Sequence, residues 1–150
     1  MSRKDEELIH HVEDIAENCL AVRARLLNRV ITHVYDEALR PLGLKVSQMN
    51  ILVVVQKLGR ARPAEVCQIL KLDTSTLSRN VERMRAKGWV EILDDEDGRA
   101  HPFQLTSSGK SLLRRAYPAW KAAQEKSAAV LGDNGVELLQ GLSREMGTGR

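Results

Sequence analysis

The sequence predicts a mainly α-helical fold interrupted by one β-hairpin. Three observations carry that expectation. Apolar residues recur at helical spacing over most of the chain, strand-like character is confined to two short runs around Asp97-Gly98, and glycine and proline fall at the boundaries between segments. A length of 150 residues suits one domain with its own core. Hydrophobic content of 43% and charged content of 29% are those of an ordinary globular chain.

No proline or glycine precedes Pro41, and residues 8–39 read as one long helix. Along it, Leu8, Val12, Ile15, Cys19, Val22 and Leu26 step by four and three, a period of 3.5 that suits a second helix packed alongside. Leu27, Ile31, Val34 and Ala38 form a shifted stripe, so the segment is expected to bury surface on two sides, either in its own core or against a second subunit. Pro41 and Gly43 end it. Ser47 is the expected N-cap of a helix over 48–58, closed by Gly59. Pro63 fits the first turn of a short helix to about Leu70. Asp73 is placed to cap the next helix and Gly88 to end it, with Leu77, Val81 and Met84 facing the core.

After Trp89 the period changes. WVEIL has strand character, Asp97-Gly98 signals a turn, and HPFQLT reads as the returning strand, with Pro102 at its start or on an edge. Helix resumes after Thr106 to Leu131, with a kink expected at Pro118; GDNG at 132–135 is a break, and a last amphipathic helix covers 136–146.

Several function classes are disfavoured by composition. Aromatics make up only 3% of the chain, too few for the stacking platforms that bind single strands or RNA. Cys19 and Cys67 form neither a CxxC pair nor a disulfide framework, which suits a reducing cytoplasm. The start, MSRKDEELIHH, is too charged for a signal peptide, and no apolar run approaches membrane length. Motifs of the G-x-S-x-G, phosphate-loop or H-E-x-x-H type are absent, so neither an enzyme nor a cofactor is expected.

Charge is more informative by position than in sum. The net charge is +3, and between Lys71 and Lys87 five basic residues face two acids, Asp73 and Glu82. The stretch DTSTLSRNVERMRAKGW puts Thr74, Ser75, Thr76 and Ser78 at a helix start and arginines behind them. Two short helices joined by a tight turn and followed at once by a hairpin make a winged helix-turn-helix, whose second helix fits the major groove of duplex DNA. Free N–H groups and short hydroxyls at that helix start can meet phosphate or base edges. Arg79 is placed to fork onto a guanine edge, Arg83 to meet phosphate, and Arg99 on the hairpin to reach the minor groove. Asp94, Asp95, Glu96 and Asp97 precede Arg99; either some of these acids face away from the duplex, or Asp97 pairs with Arg99 and orients it.

Three stretches, YDEALRPLGLKVSQMNIL (35–52), LDTSTLSRNVERMRAKGWVE (72–91) and DEDGRAHPFQLTSSG (95–109), resemble the MarR group of transcription regulators. Segment order, the D-x-R at Asp97 and Arg99, and the LT-x-x-G after the hairpin are similar to that family. The resemblance implies a homodimer joined by helices over 8–40 and 107–147, with a DNA-reading lobe over 47–106. It further implies recognition of a pseudo-palindromic operator and repression relieved by a small phenolic or anionic effector. By motif position, Ser75, Thr76, Ser78 and Arg79 fall on the major-groove contacts and Arg99 on the minor-groove contact.

Other candidates carry two readings each. Cys19 lies on the apolar seam, with Arg23 as its one cationic neighbour at helical spacing, and is either core or a redox sensor. His33, Tyr35 and Tyr117 either line an effector crevice or pack with a polar tip outward. His10 and His11 point about 100° apart on a helix, so with Glu13 and Asp14 they read as a solvated face and no metal site. The alternatives to an effector-released repressor are a redox- or metal-responsive regulator of the same fold and a winged helix used for protein contact.

Overall fold

A computed structural model describes residues 2–94, 98 and 101–147. Its elements run α1 (Arg3–Asn18), α2 (Leu20–Leu39), a 3-10 turn (Arg40–Leu42), α3 (Val46–Leu58), α4 (Pro63–Leu70), α5 (Thr74–Ala86), β1 (Val90–Ile92), β2 (Phe103–Leu105) and α6 (Ser107–Gly147). The mainly helical class with one hairpin is therefore observed. Internal packing divides the chain into residues 1–33 and 34–150.

In the first unit, Ser2 caps α1. Its hydroxyl accepts the Asp5 N–H at 3.3 Å, and the Asp5 carboxylate accepts the Ser2 N–H at 2.9 Å. The single helix expected over 8–39 is interrupted: Cys19 turns to an extended ψ of 107°, its N–H bonded to Ile15, and α2 begins at Leu20. Neither glycine nor proline marks the break, so periodicity alone reads through it. No residue of α1 is buried. Leu8 is 61% exposed and Ile15 63%, and Val12, Val22 and Leu26 are exposed as well.

The second unit holds the core. Leu39 from the end of α2, Leu44, Ile51, Leu52 and Val55 around α3, Val66 from α4, Leu77 and Met84 from α5, Phe103 from β2 and Leu112 from α6 close over one another. α3 starts two residues earlier than expected. Lys45, not Ser47, stands at its N-cap, and two carboxamide or carboxylate acceptors finish its first turn: Gln48 takes the Lys45 N–H at 3.2 Å, and Asp36 takes the Val46 N–H at 2.8 Å. Because Asp36 comes from α2, the true cap is tertiary and cannot be found by scanning the residues just before the helix.

β1 and β2 pair antiparallel, with Val90 opposite Leu105 and Ile92 opposite Phe103. Ala61, between α3 and α4, bridges to β2 outside the β1–β2 ladder: its N–H and C=O both bond Phe103 at 2.9 Å. In α6 the backbone stays helical at Pro118, and among the described residues only Gly132 (φ 68°, ψ 168°) leaves helical angles. The helix thus bends at the first residue of the expected GDNG break. Pro118 is exposed and supplies no N–H for the Arg114 carbonyl one turn earlier. Among the described residues no single helix is long and apolar enough to cross a membrane.

Candidate nucleic-acid interface

The tight turn between α4 and α5 is made by Lys71, which adopts left-handed angles (φ 52°, ψ 43°) and closes α4. The Leu72 N–H then reaches back to the Cys67 carbonyl at 3.0 Å. Asp73 caps α5 as its position predicts. Its carboxylate accepts the Ser75 hydroxyl at 2.6 Å, the Thr76 N–H at 2.7 Å and the Thr76 hydroxyl at 2.7 Å. Those bonds, the Ser75 hydroxyl first, hold the Asp73 carboxyl far below the ordinary carboxylate range, with Arg79 adding a smaller electrostatic contribution.

This changes the role open to two of the hydroxyls. Ser75 and Thr76 spend their protons on Asp73, so toward a ligand they present lone pairs only. Thr74, Ser78, Arg79 and Arg83 are exposed, above the buried Leu77 and Met84 that seat the helix. Arg85 pairs with Glu82 at 3.7 Å, whereas Arg79 and Arg83 form no ion pair among the described residues. The face of α5 away from the core is thus hydroxyls at one end and free guanidinium groups behind them.

The base of the hairpin is fixed by the LT-x-x-G stretch. Thr106 donates its N–H to the Trp89 carbonyl at 3.1 Å and its hydroxyl to the Gly88 carbonyl at 2.6 Å, and accepts the Gly109 N–H at 3.1 Å. One threonine therefore caps α6 and holds the strand entry after α5. Gly109 is required there, because a Cβ on it would lie 2.1 Å from the Trp89 carbonyl oxygen. On the hairpin, Arg60 donates to the Asp94 carbonyl at 2.9 Å, and Gln104 bridges to Glu91 at 2.8 Å. Asp95, Glu96, Asp97 and Arg99 lie outside the described residues, and with them both alternatives for the acids, Asp97–Arg99 pairing included.

Within the second unit, Met49, Asn50 and Val53 of α3 and Leu113, Tyr117 and Trp120 of α6 line an open cavity of about 380 Å³. Tyr117 stacks on Trp120 with ring centroids 5.7 Å apart. Of the three residues expected at an effector crevice, Tyr117 lines this cavity. Tyr35 is half-buried and its hydroxyl donates to Gln124; burial raises its pKa, and the Ser127 hydroxyl beside it partly offsets the rise. His33 is exposed in the first unit. Asn50, Val53, Leu113 and Trp120 carry no sequence signature, since they are ordinary helix residues until two helices meet.

Cys19 is a free, half-buried cysteine at the α1–α2 break, and Cys67 is half-buried against the core. The His10 and His11 rings lie 6.4 Å apart and tilted by 42°. Among the described residues no three His, Cys, Asp or Glu side chains gather as metal ligands.

A short helix, a left-handed turn, a second helix with a polar basic outer face and a hairpin directly behind it define a winged helix-turn-helix protein. Residues 42–100 match the family model described as the MarR family. Over 144 residues, 96% of each chain, the sequence is 25% identical to the uncharacterized HTH-type transcriptional regulator YwoH of Bacillus subtilis (strain 168). Two solved structures share the fold. A mutant MarR from E. coli complexed with operator DNA superposes with a TM-score of 0.77 at 22% identity, covering 88% of this chain and 96% of that one. The M. tuberculosis transcriptional regulator MOSR in complex with DNA gives a TM-score of 0.75 at 29% identity, covering 85% and 96%. The match to the MarR family model runs from the end of the 3-10 turn into the hairpin.

Proposed function

We propose that this protein is a dimeric, sequence-specific reader of duplex DNA that regulates transcription, acting as a repressor released by a small molecule. The observation that carries the reading is the outer face of α5, where exposed Thr74, Ser78, Arg79 and Arg83 stand over a buried Leu77–Met84 base, with the hairpin directly following. In this reading Arg79 forks onto a base edge, Arg83 meets phosphate, and Arg99 reaches the minor groove. Ser75 and Thr76, with their protons held by Asp73, accept from a base amino group rather than donate to phosphate.

The dimer is supported by α1 and the first half of α2. Leu8, Val12, Ile15, Val22 and Leu26 of their apolar seam are exposed, and contiguous exposed apolar surface of this kind marks an interaction site. Residues 8–40 and 107–147 form the dimer and residues 47–106 read DNA, with the two α5 helices about 34–36 Å apart to meet successive major grooves. Cys19, half-buried on that seam, is covered by the partner chain.

The cavity beside Tyr117 is the effector site. Its walls are largely apolar and aromatic, with Asn50 and Tyr117 as polar residues, and among the described residues no cation lines it, which favours a flat phenolic ring over a carboxylate. Release requires that the effector bind more tightly to dimers whose reading helices are wrongly spaced.

Selection of duplexes from a random pool at about 150 mM salt tests the reading, because non-specific phosphate binding is weakened there. An enriched inverted repeat supports it. Retention that is salt-sensitive but sequence-blind refutes sequence-specific reading.

A further inference from the structure

The residue that caps the end of the reading helix is tied to the 3-10 turn that ends α2. Lys87, the C-cap of α5, donates from Nζ to the Gly43 carbonyl at 2.8 Å, and the same ammonium sits 4.5 Å from the centroid of the Trp89 ring. Gly43 closes the 3-10 turn that ends α2, in left-handed angles (φ 63°, ψ 24°). Trp89 is nearly buried and leads into the hairpin; its carbonyl receives Thr106. One flexible side chain therefore joins the end of α2, the end of α5 and the entry to the hairpin.

An exposed lysine is normally free, since its rotamer entropy opposes any single surface contact. Here one ammonium has two partners at once, a carbonyl oxygen and an aromatic face, and both favour the cation. No phosphate or acidic side chain is needed to explain its position. The two partners also lie on segments 46 residues apart, Gly43 and Trp89, so the contact fixes the direction of α5 relative to the α2–α3 corner rather than merely closing a local turn.

We propose that Lys87 is a positioning residue: through Gly43 and Trp89 it latches the reading helix to the end of α2, so that movement at that corner is passed to the DNA-contacting face. This rests on the DNA-reading function proposed above. It assigns Lys87 no contact with DNA, which separates it from Arg79 and Arg83.

The test compares Lys87→Met, which keeps the stem and loses the charge, with Lys87→Arg, which keeps the charge and its affinity for an aromatic face. Binding to the selected duplex is measured across a range of salt. In the same proteins, NMR follows the Trp89 indole N–H and the Leu44 amide, whose peptide contains the Gly43 carbonyl. Lys87→Met is expected to bind the duplex about threefold to tenfold more weakly with the salt slope unchanged, and to shift both signals. Lys87→Arg is expected to restore affinity and the Trp89 signal. Two results overturn the latch: Lys87→Met binding as tightly as the parent, or a salt slope reduced by about one with both signals unmoved, the mark of a phosphate contact. Failure of the parent protein itself to prefer any duplex refutes the DNA-reading function instead.

Discussion

Replacing Gly109 with alanine is expected to unfold the base of the hairpin from within. An added Cβ would stand 2.1 Å from the Trp89 carbonyl oxygen, 3.0 Å from its carbon and 3.3 Å from Leu105 Cγ. Relief needs a shift of about 1.3 Å or more to regain ordinary contact distance. The obstacle is backbone, and it cannot rotate away. Trp89 is held on both sides, its N–H to Met84 at 2.9 Å and its carbonyl to the Thr106 N–H at 3.1 Å. Overpacking of this kind costs about 1–3 kcal/mol, and straining the Thr106 bond adds about 1 kcal/mol. Against this, alanine gains about 1 kcal/mol over glycine as a helix former. The sum is a loss of about 2 kcal/mol, or a Tm lower by about 4–8 °C for a chain of this size. Thermal denaturation followed by far-UV circular dichroism, at fixed protein concentration, measures it. A Tm equal to or above the parent's would show that the clash is absent and that this glycine is there for another reason.

Four further outcomes are expected. Lys71→Gly should raise stability by about 0.5–1 kcal/mol in urea melts, because the left-handed turn at φ 52° strains any residue with a Cβ. The Asp73 carboxyl lies below its ordinary 3.8 in the folded protein, so its contribution is full above that value and is lost as pH falls below it. The urea midpoint should therefore drop less between pH 7 and pH 3 in Asp73→Asn than in the parent. Arg79→Ala should cost the selected duplex about 1–3 kcal/mol while sparing random DNA. Arg83→Ala should weaken both alike and lower the salt slope by about one; identical behaviour of the two variants would refute the division of roles.

The sequence makes some of these elements easy to see and hides others for physical reasons. Caps and stops that act on their nearest neighbours are legible: Asp73 before α5, Pro63 opening α4 and Gly88 after α5 stand where their chemistry puts them. Devices that reach across the fold are not. Asp36 capping α3, Ala61 pairing with Phe103 and Lys87 reaching Gly43 each join residues that a local pattern never compares. The break at Cys19 is hidden because the apolar period runs through it unchanged.

The candidate interface divides the same way. The hydroxyl-rich start of α5 is plain in TSTLS, and so is its exposure once Leu77 and Met84 are recognised as the buried side. The donation of the Ser75 and Thr76 protons to Asp73 is also a local pattern, since an aspartate two and three residues ahead of a hydroxyl is a known cap geometry. The cavity beside Tyr117 was visible only as one of its six walls.

In the proposed complex a dimer places two α5 helices on successive major grooves of one face of a duplex. That placement is tested most directly by inserting five base pairs, about half a turn, between the half-sites of the selected duplex and measuring affinity at fixed salt. The longer site is expected to bind no better than a single half-site, because the second helix then meets the opposite face. Undiminished affinity for the lengthened site would contradict it.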